Sequence, residues 1–148
     1  MDFHIYLRKE NRELPVQIEV LHTTATKVFQ STKREGKDIS LVVCDDPFIH
    51  RLNKQYRKKD YPTDVLSFSL QEGDFLPNPH TNLGDIVISI DTAQRQADQR
   101  GETLAEEFLI LFIHGLLHLI GYTHDHWEDE KMMNTLGADI LTEVKKNI

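Results

Sequence analysis

Several classes of protein are excluded by what this chain has little of. A single cysteine, Cys44, rules out an internal disulfide. It ends the apolar run Ile39 to Cys44, where packing as a small hydrophobe is its expected role. Glycine and proline number only 7 and 5 among 148 residues, and there are no repeats or low-complexity segments. The strongly apolar stretch from Phe108 to Ile120 is too short to span a bilayer, and it contains two histidines that would be costly there. The N-terminal Met-Asp-Phe-His-Ile has neither the basic head nor the apolar core of a signal peptide. These absences lead us to expect one cytoplasmic domain, residues 1–148, without a membrane partner and long enough to bury a real core.

Positive charge is scarce as well, with 17 Lys and Arg against 24 Asp and Glu, a net −7. Non-specific nucleic-acid affinity comes mostly from cations meeting phosphates, so the total speaks against such a partner. The distribution speaks differently. Residues 1–60 carry 12 cations against 9 acids, and residues 61–148 carry 5 against 15. Arg51, Lys54, Arg57, Lys58 and Lys59 form a dense patch with Tyr56 among them. Such a patch can dock a phosphate backbone while the acidic remainder limits non-specific binding. A solvated helix end, where cations favour the dipole, would give the same pattern.

What the chain does have is His114-Gly-Leu-Leu-His118-Leu-Ile-Gly121-Tyr-Thr-His124. The apolar run around the first two histidines reads as a helix, and their spacing of four puts both imidazoles on one face, a turn apart. Gly121 falls where the helix should stop and the chain reverse, which brings His124 back as a third nitrogen ligand. Three protein ligands on a tetrahedral ion leave one position for water, the arrangement of a catalytic zinc. Buried histidines more commonly bond the backbone; the third histidine and the placed glycine favour a metal.

The pattern H-G-x-L-H-L-x-G-Y-x-H resembles the signature of the YbeY-type endoribonucleases, bacterial rRNA maturation factors. The resemblance extends upstream to Asn53-Lys-Gln-Tyr56-Arg57-Lys-Lys-Asp60-Tyr-Pro62-Thr63-Asp64-Val-Leu-Ser67-Phe68 and to Leu83-Gly84-Asp85-Ile86. At one place the sequence departs from the family, which usually reads Tyr-Asp-His where this chain has Tyr122-Thr123-His124. The general base is therefore left open, with Asp125 or His126 available to cover the missing carboxylate. The resemblance implies one zinc per chain, other divalent transition metals also suiting three imidazoles. It implies a single-strand-preferring endoribonuclease acting on small-subunit rRNA ends and in ribosome quality control, with the ribosomal small subunit as partner and no role for DNA.

The metalloprotease pattern H-E-x-x-H places a glutamate base after the first histidine, and here that place is Gly115. Phosphodiester cleavage depends less on that base, because a metal can activate water or polarise a phosphoryl oxygen directly. It also needs a cation for the charge that develops on phosphate. Arg57 is the candidate, since a guanidinium can bind two phosphate oxygens, and the resemblance points to the same residue. The expected catalytic residues are thus Arg57 and His114. His114, His118 and His124 are the expected metal ligands, and Arg57, Lys54, Lys58, Lys59 and Tyr56 the substrate-binding residues.

Asp85 and Asp125 are candidates to orient a ligand histidine or the water, although Asp85 could equally satisfy backbone donors. His126 is the alternative third ligand. Thr63 and Asp64 could line a cleft or simply make a turn. Ser67 has no sign of a nucleophile's base, and Trp127 is expected to pack the last helix rather than stack a base.

The periodicities predict an α/β (α+β) fold, a small mixed sheet of about four strands covered by helices, zincin-like, with the histidine helix buried at its centre. Strands are expected around Phe3–Leu7, Ile39–Cys44, Val65–Leu70 and Asp85–Ile90, and a helix opening at Pro15 and closing at Gly36. Asp46-Pro47 should start the helix carrying the basic patch. Asp91 with Gln94 and Thr103 with Glu106 look like capping boxes. Asp125 with Glu128 would cap a last helix packed through Met133, Leu136, Ile140 and Val144. Two rivals remain: a metal-dependent hydrolase of a peptide or amide, and a non-catalytic ribosome-assembly factor whose zinc is structural.

Overall fold

A computed structural model describes residues 2–69, 83–123 and 127–148. In chain order the elements are β1 (Ile5–Glu10), α1 (Ile18–Ser31), β2 (Ile39–Cys44), α2 (Asp46–Arg57), β3 (Val65–Ser69), β4 (Gly84–Ser89), α3 (Ile90–Arg100), α4 (Leu104–Ile120) and α5 (Trp127–Val144). The strands form one mixed sheet in the order β1-β2-β4-β3; β1, β2 and β4 are parallel, and β3 runs antiparallel along the edge beside β4. β2 and β4 are buried at every position, as strands covered on both faces must be. The expected architecture is the one found.

Alternation along the strands divides the core in two. Leu41, Val43, Ile86 and Ile88 face α1, α4 and α5. Val42, Cys44, Val87, Leu66 and Phe68 face Ile49 and Phe48 of α2. Cys44 is fully buried, and burial pushes its thiol up to about 12, so it stays protonated and serves as core filler.

Local chemistry sets most of the helix limits. α4 opens on a reciprocal capping box between Thr103 and Glu106, as expected. It stops at Gly121, whose φ of 122° suits glycine and whose N–H bonds back to the carbonyls of Leu117 and His118. Two expectations need correction. α1 begins three residues after Pro15 and ends at Ser31, well before Gly36, because the Thr32 hydroxyl takes the Val28 carbonyl and Lys33 adopts the left-handed conformation instead. α3 is capped by the Ser89 hydroxyl, not by Asp91. The Asp91 carboxylate is already engaged by the Arg12 guanidinium and the Asp46 N–H. The cap expected from Asp125 lies outside the described residues. Beyond it, α5 buries Met133, Gly137, Ile140 and Val144.

α4 is the central helix, packed on α3, β3, α5, α1 and β4. Among the described residues no single helix is long and apolar enough to cross a membrane. At the β3–β4 end, Gly84 has φ 153°, and an added methyl would lie 2.3 Å from the Phe68 carbonyl oxygen and 2.8 Å from Leu119. Gly101 also has positive φ, at 67°, but nothing lies within 4 Å of its missing side chain. Gly84→Ala is therefore expected to cost about 3 kcal/mol or more. Gly101→Ala should cost about 1 kcal/mol. Urea unfolding of the two variants beside the parent chain checks both values.

Candidate metal centre

The second half of α4 is buried from Phe108 to Ile120 except at Ile110, His114 and His118, which are half-exposed. These three positions, four residues apart, form a single stripe. The two imidazoles thus occupy the one strip of the helix that the core leaves open, which suits a metal pair better than core histidines. His114 lies against α5, where Gly137 leaves it room: an added methyl there would sit 3.6 Å from its Nε2. His118 opens into a cleft of about 890 Å³. Gly121 turns the chain back as expected, but His124 lies outside the described residues, as do Asp125 and His126. Among the described residues no group of three His, Cys, Asp or Glu side chains converges.

The cleft runs along the edge of the sheet. Its floor is β3, from Val65 to Ser69; α4 contributes His118 and Leu119 from one face, and α2 contributes Asn53 and Arg57 from the other. The Arg57 guanidinium is held by the Ser67 carbonyl at 2.9 Å and lies 4.6 Å over the Phe68 ring. Of the expected substrate-binding residues, Arg57 and Lys59 line the cleft.

The others do not reach it, for local reasons. Lys54 pairs with Asp60 at 3.8 Å, Lys58 ends α2 in the left-handed conformation with its ammonium on the Gln55 carbonyl, and Tyr56 packs edge-on against Phe68. Arg51 stacks over Phe48 instead, at 5.7 Å. Thr63 and Asp64 both line the cleft and make the turn into β3, where the Asp64 carboxylate accepts from the Val65 N–H and from Gln96. Ser67 donates to the Gly115 carbonyl at 3.0 Å, a structural bond between β3 and α4. Thr123, standing where the family pattern has Asp, also lines the cleft, and its N–H donates to the Asp129 carboxylate of α5.

Two sequence expectations are overturned. Asp85 alternates with Ile86 and so points to the α2 face of the sheet, away from α4 and its histidines; it cannot orient either one. It is 8 % exposed, bonded by Ser40, and burial raises its pKa, with one carboxylate oxygen lacking a partner among the described residues. Trp127 does not pack α5. It is 72 % exposed, lies off the stripe that α5 buries, and carries Lys131 over its ring. Sequence reasoning passed over Asn53 and Tyr61, which join the cleft wall. Both stood inside the recognised block, with only an amide and an aromatic ring to mark them.

A family model described as Endoribonuclease YbeY matches residues 5–145. The Endoribonuclease YbeY of Pelotomaculum thermopropionicum is 47% identical over 109 residues, covering 72% of this chain and 72% of that protein. That of Syntrophotalea carbinolica is 33% identical over 145 residues, covering 97% and 95%. In structure, the chain is similar to TM1509 from Thermotoga maritima, known from a solution structure, with TM-score 0.65, 25% identity, and coverage of 97% and 90%.

The placement of Asp85 has a pH signature. A carboxyl whose folded pKa is raised above 3.8 stabilises the fold while protonated. That contribution is lost as pH rises from the unfolded value through the folded one. Asp85→Ala should therefore gain stability relative to the parent between about pH 4 and about pH 7. Urea unfolding at the two pH values checks this.

Proposed function

The chain belongs to the Endoribonuclease YbeY family, and from that premise we propose that it is a zinc-dependent endoribonuclease preferring single strands. Its proposed task is the maturation of small-subunit rRNA ends and ribosome quality control in the cytoplasm. The carrying observation is that His118 and Arg57 line one cleft from opposite faces of the sheet. His114, His118 and His124 would hold the zinc. When bound, such an ion lowers the pKa of a coordinated water to about 7 and polarises a phosphoryl oxygen.

The chain's own residues supply the rest. Arg57 meets the phosphate; its guanidinium plane is fixed by Phe68 and the Ser67 carbonyl, so little side-chain entropy is lost on binding. Lys59 adds a second cation along the same cleft. The peptide or amide hydrolase reading wants a carboxylate able to act as base beside the metal. Position 115 cannot hold one, since even a methyl there would meet Ile86 at 2.9 Å. Among the described residues the carboxylate on the cleft wall is that of Asp64, and it is committed to Val65 and Gln96. The assembly-factor reading wants a fourth protein ligand, and among the described residues no His, Cys, Asp or Glu joins His114 and His118 to close the site.

Metal content by mass spectrometry, with cleavage of a single-stranded rRNA fragment on the same samples, tests the proposal. The parent chain should carry about one zinc and cut. His118→Ala should lose both. Arg57→Ala should keep its zinc and lose cleavage by about 10²-fold or more. A parent chain that binds no metal after reconstitution would overturn the reading; zinc without cleavage would favour the assembly factor.

A further inference from the structure

The loop between α2 and β3 is fixed in place more firmly than a surface loop requires. Asn53, 2 % exposed, donates from its side-chain amide to the Tyr61 carbonyl at 2.9 Å. The Lys59 N–H bonds the Asn53 carbonyl at 3.2 Å, and Lys58 takes the left-handed turn between them. Buried amides are expensive unless bonded, so this one holds the Tyr61 backbone in a defined position. The ring it positions is nevertheless 54 % exposed and lies on the wall of the cleft that Arg57 and His118 share. The Lys59 ammonium lines the same cleft without an ion-pair partner among the described residues.

Other aromatic rings nearby are already engaged. Phe68 is buried beneath the Arg57 guanidinium, Tyr56 packs against Phe68, and Trp127 carries Lys131 and is not part of the cleft wall. Tyr122 also lines the cleft but is partly buried against the core, whereas Tyr61 is the exposed tyrosine of the two. An exposed aromatic ring on an anchored stretch of backbone, beside two cations, is what an unpaired nucleobase and its flanking phosphates require. We propose that Tyr61, with Lys59 beside it, is the stacking subsite for one unpaired base next to the phosphate held by Arg57. This rests on the endoribonuclease reading and adds to it the physical origin of a single-strand preference: a base inside a duplex cannot offer its face to the ring.

The test is fluorescence anisotropy of the zinc-loaded full chain with a labelled, non-cleavable 2′-O-methyl single-stranded oligoribonucleotide and with the matching duplex, so that binding is read without cleavage. The variants are Tyr61→Ala, Tyr61→Phe and Tyr61→Leu. Stacking predicts that Ala and Leu weaken single-strand binding by roughly 5- to 150-fold, with Phe near the parent and duplex binding unmoved. If Phe falls as far as Ala, the hydroxyl carries the effect and the subsite is overturned. If all three variants bind as the parent does while the zinc-loaded parent still cuts RNA, the stacking subsite falls and the endoribonuclease reading stands. A parent chain that neither binds nor cuts single strands overturns both.

Discussion

How close α4 comes to the sheet edge decides everything at the site. The helix touches β3 and β4 at Gly115, where a methyl would meet Ile86 at 2.9 Å, the Ser67 hydroxyl at 3.2 Å and Val65 at 3.4 Å. Ile86 is fully buried and branched at Cβ, so it has nowhere to retreat. Ser67 then bonds the Gly115 carbonyl and locks β3 to the helix. With that contact made, positions 114 and 118 fall at the edge of the packed face and stay half-open while their neighbours are buried. The glutamate that a peptidase carries after its first histidine is therefore absent for a steric reason as well as a genetic one. The same glycine that lets His118 sit at the cleft excludes the base that would suit amide hydrolysis.

The opposite wall is built by a different device. α2 lies on the other face of the sheet, and its last residue, Arg57, reaches around the β3 edge to the Ser67 carbonyl. β3 can serve as a floor for both walls because it is the edge strand, paired on one side with β4. A site at the middle of the sheet could not be reached by helices on both faces. The mixed topology, with an antiparallel strand added outside a parallel core, thus makes the cleft as well as the fold.

What was legible in the sequence was what is decided locally. The capping box at Thr103 and the stop at Gly121 are written within four residues of the groups they satisfy, so α4 was read with both its ends. The histidine stripe follows from helical period alone. Asp85 was misjudged because its neighbourhood in sequence lies among apolar strand residues that face both ways; only pairing with Ser40 and Phe68 shows which side it takes. The α3 cap failed for a related reason. Asp91 and Ser89 are both good caps, and the competition is settled by Arg12, 79 residues away. The basic patch looked continuous in sequence, yet the left-handed turn at Lys58 scatters it and sends Arg57 and Lys59 alone to the cleft.

The acidic total, which first spoke against a polyanionic partner, has a structural origin. Eight of the 24 acids, Glu19, Asp46, Asp91, Glu106, Glu107, Glu128, Asp129 and Glu130, stand in the first turns of helices. There they stand at the positive end of the dipole, which stabilises a helix by a few tenths to about 1 kcal/mol each. Several are further neutralised by partners: Asp46 by Arg95, Asp91 by Arg12, Glu106 by Lys145 and Glu107 by Arg100. Their charge belongs to the folding of the helices and is largely spent on neighbours within a few ångströms. Screening at physiological salt removes most of what remains beyond roughly 8 Å. What a bound polyanion meets is then set by the groups lining the cleft, where, among the described residues, Arg57 and Lys59 outweigh the committed carboxylate of Asp64. A third of the acids are accounted for by helix N-termini, so the sign of the cleft has to be read from the cleft and not from the total.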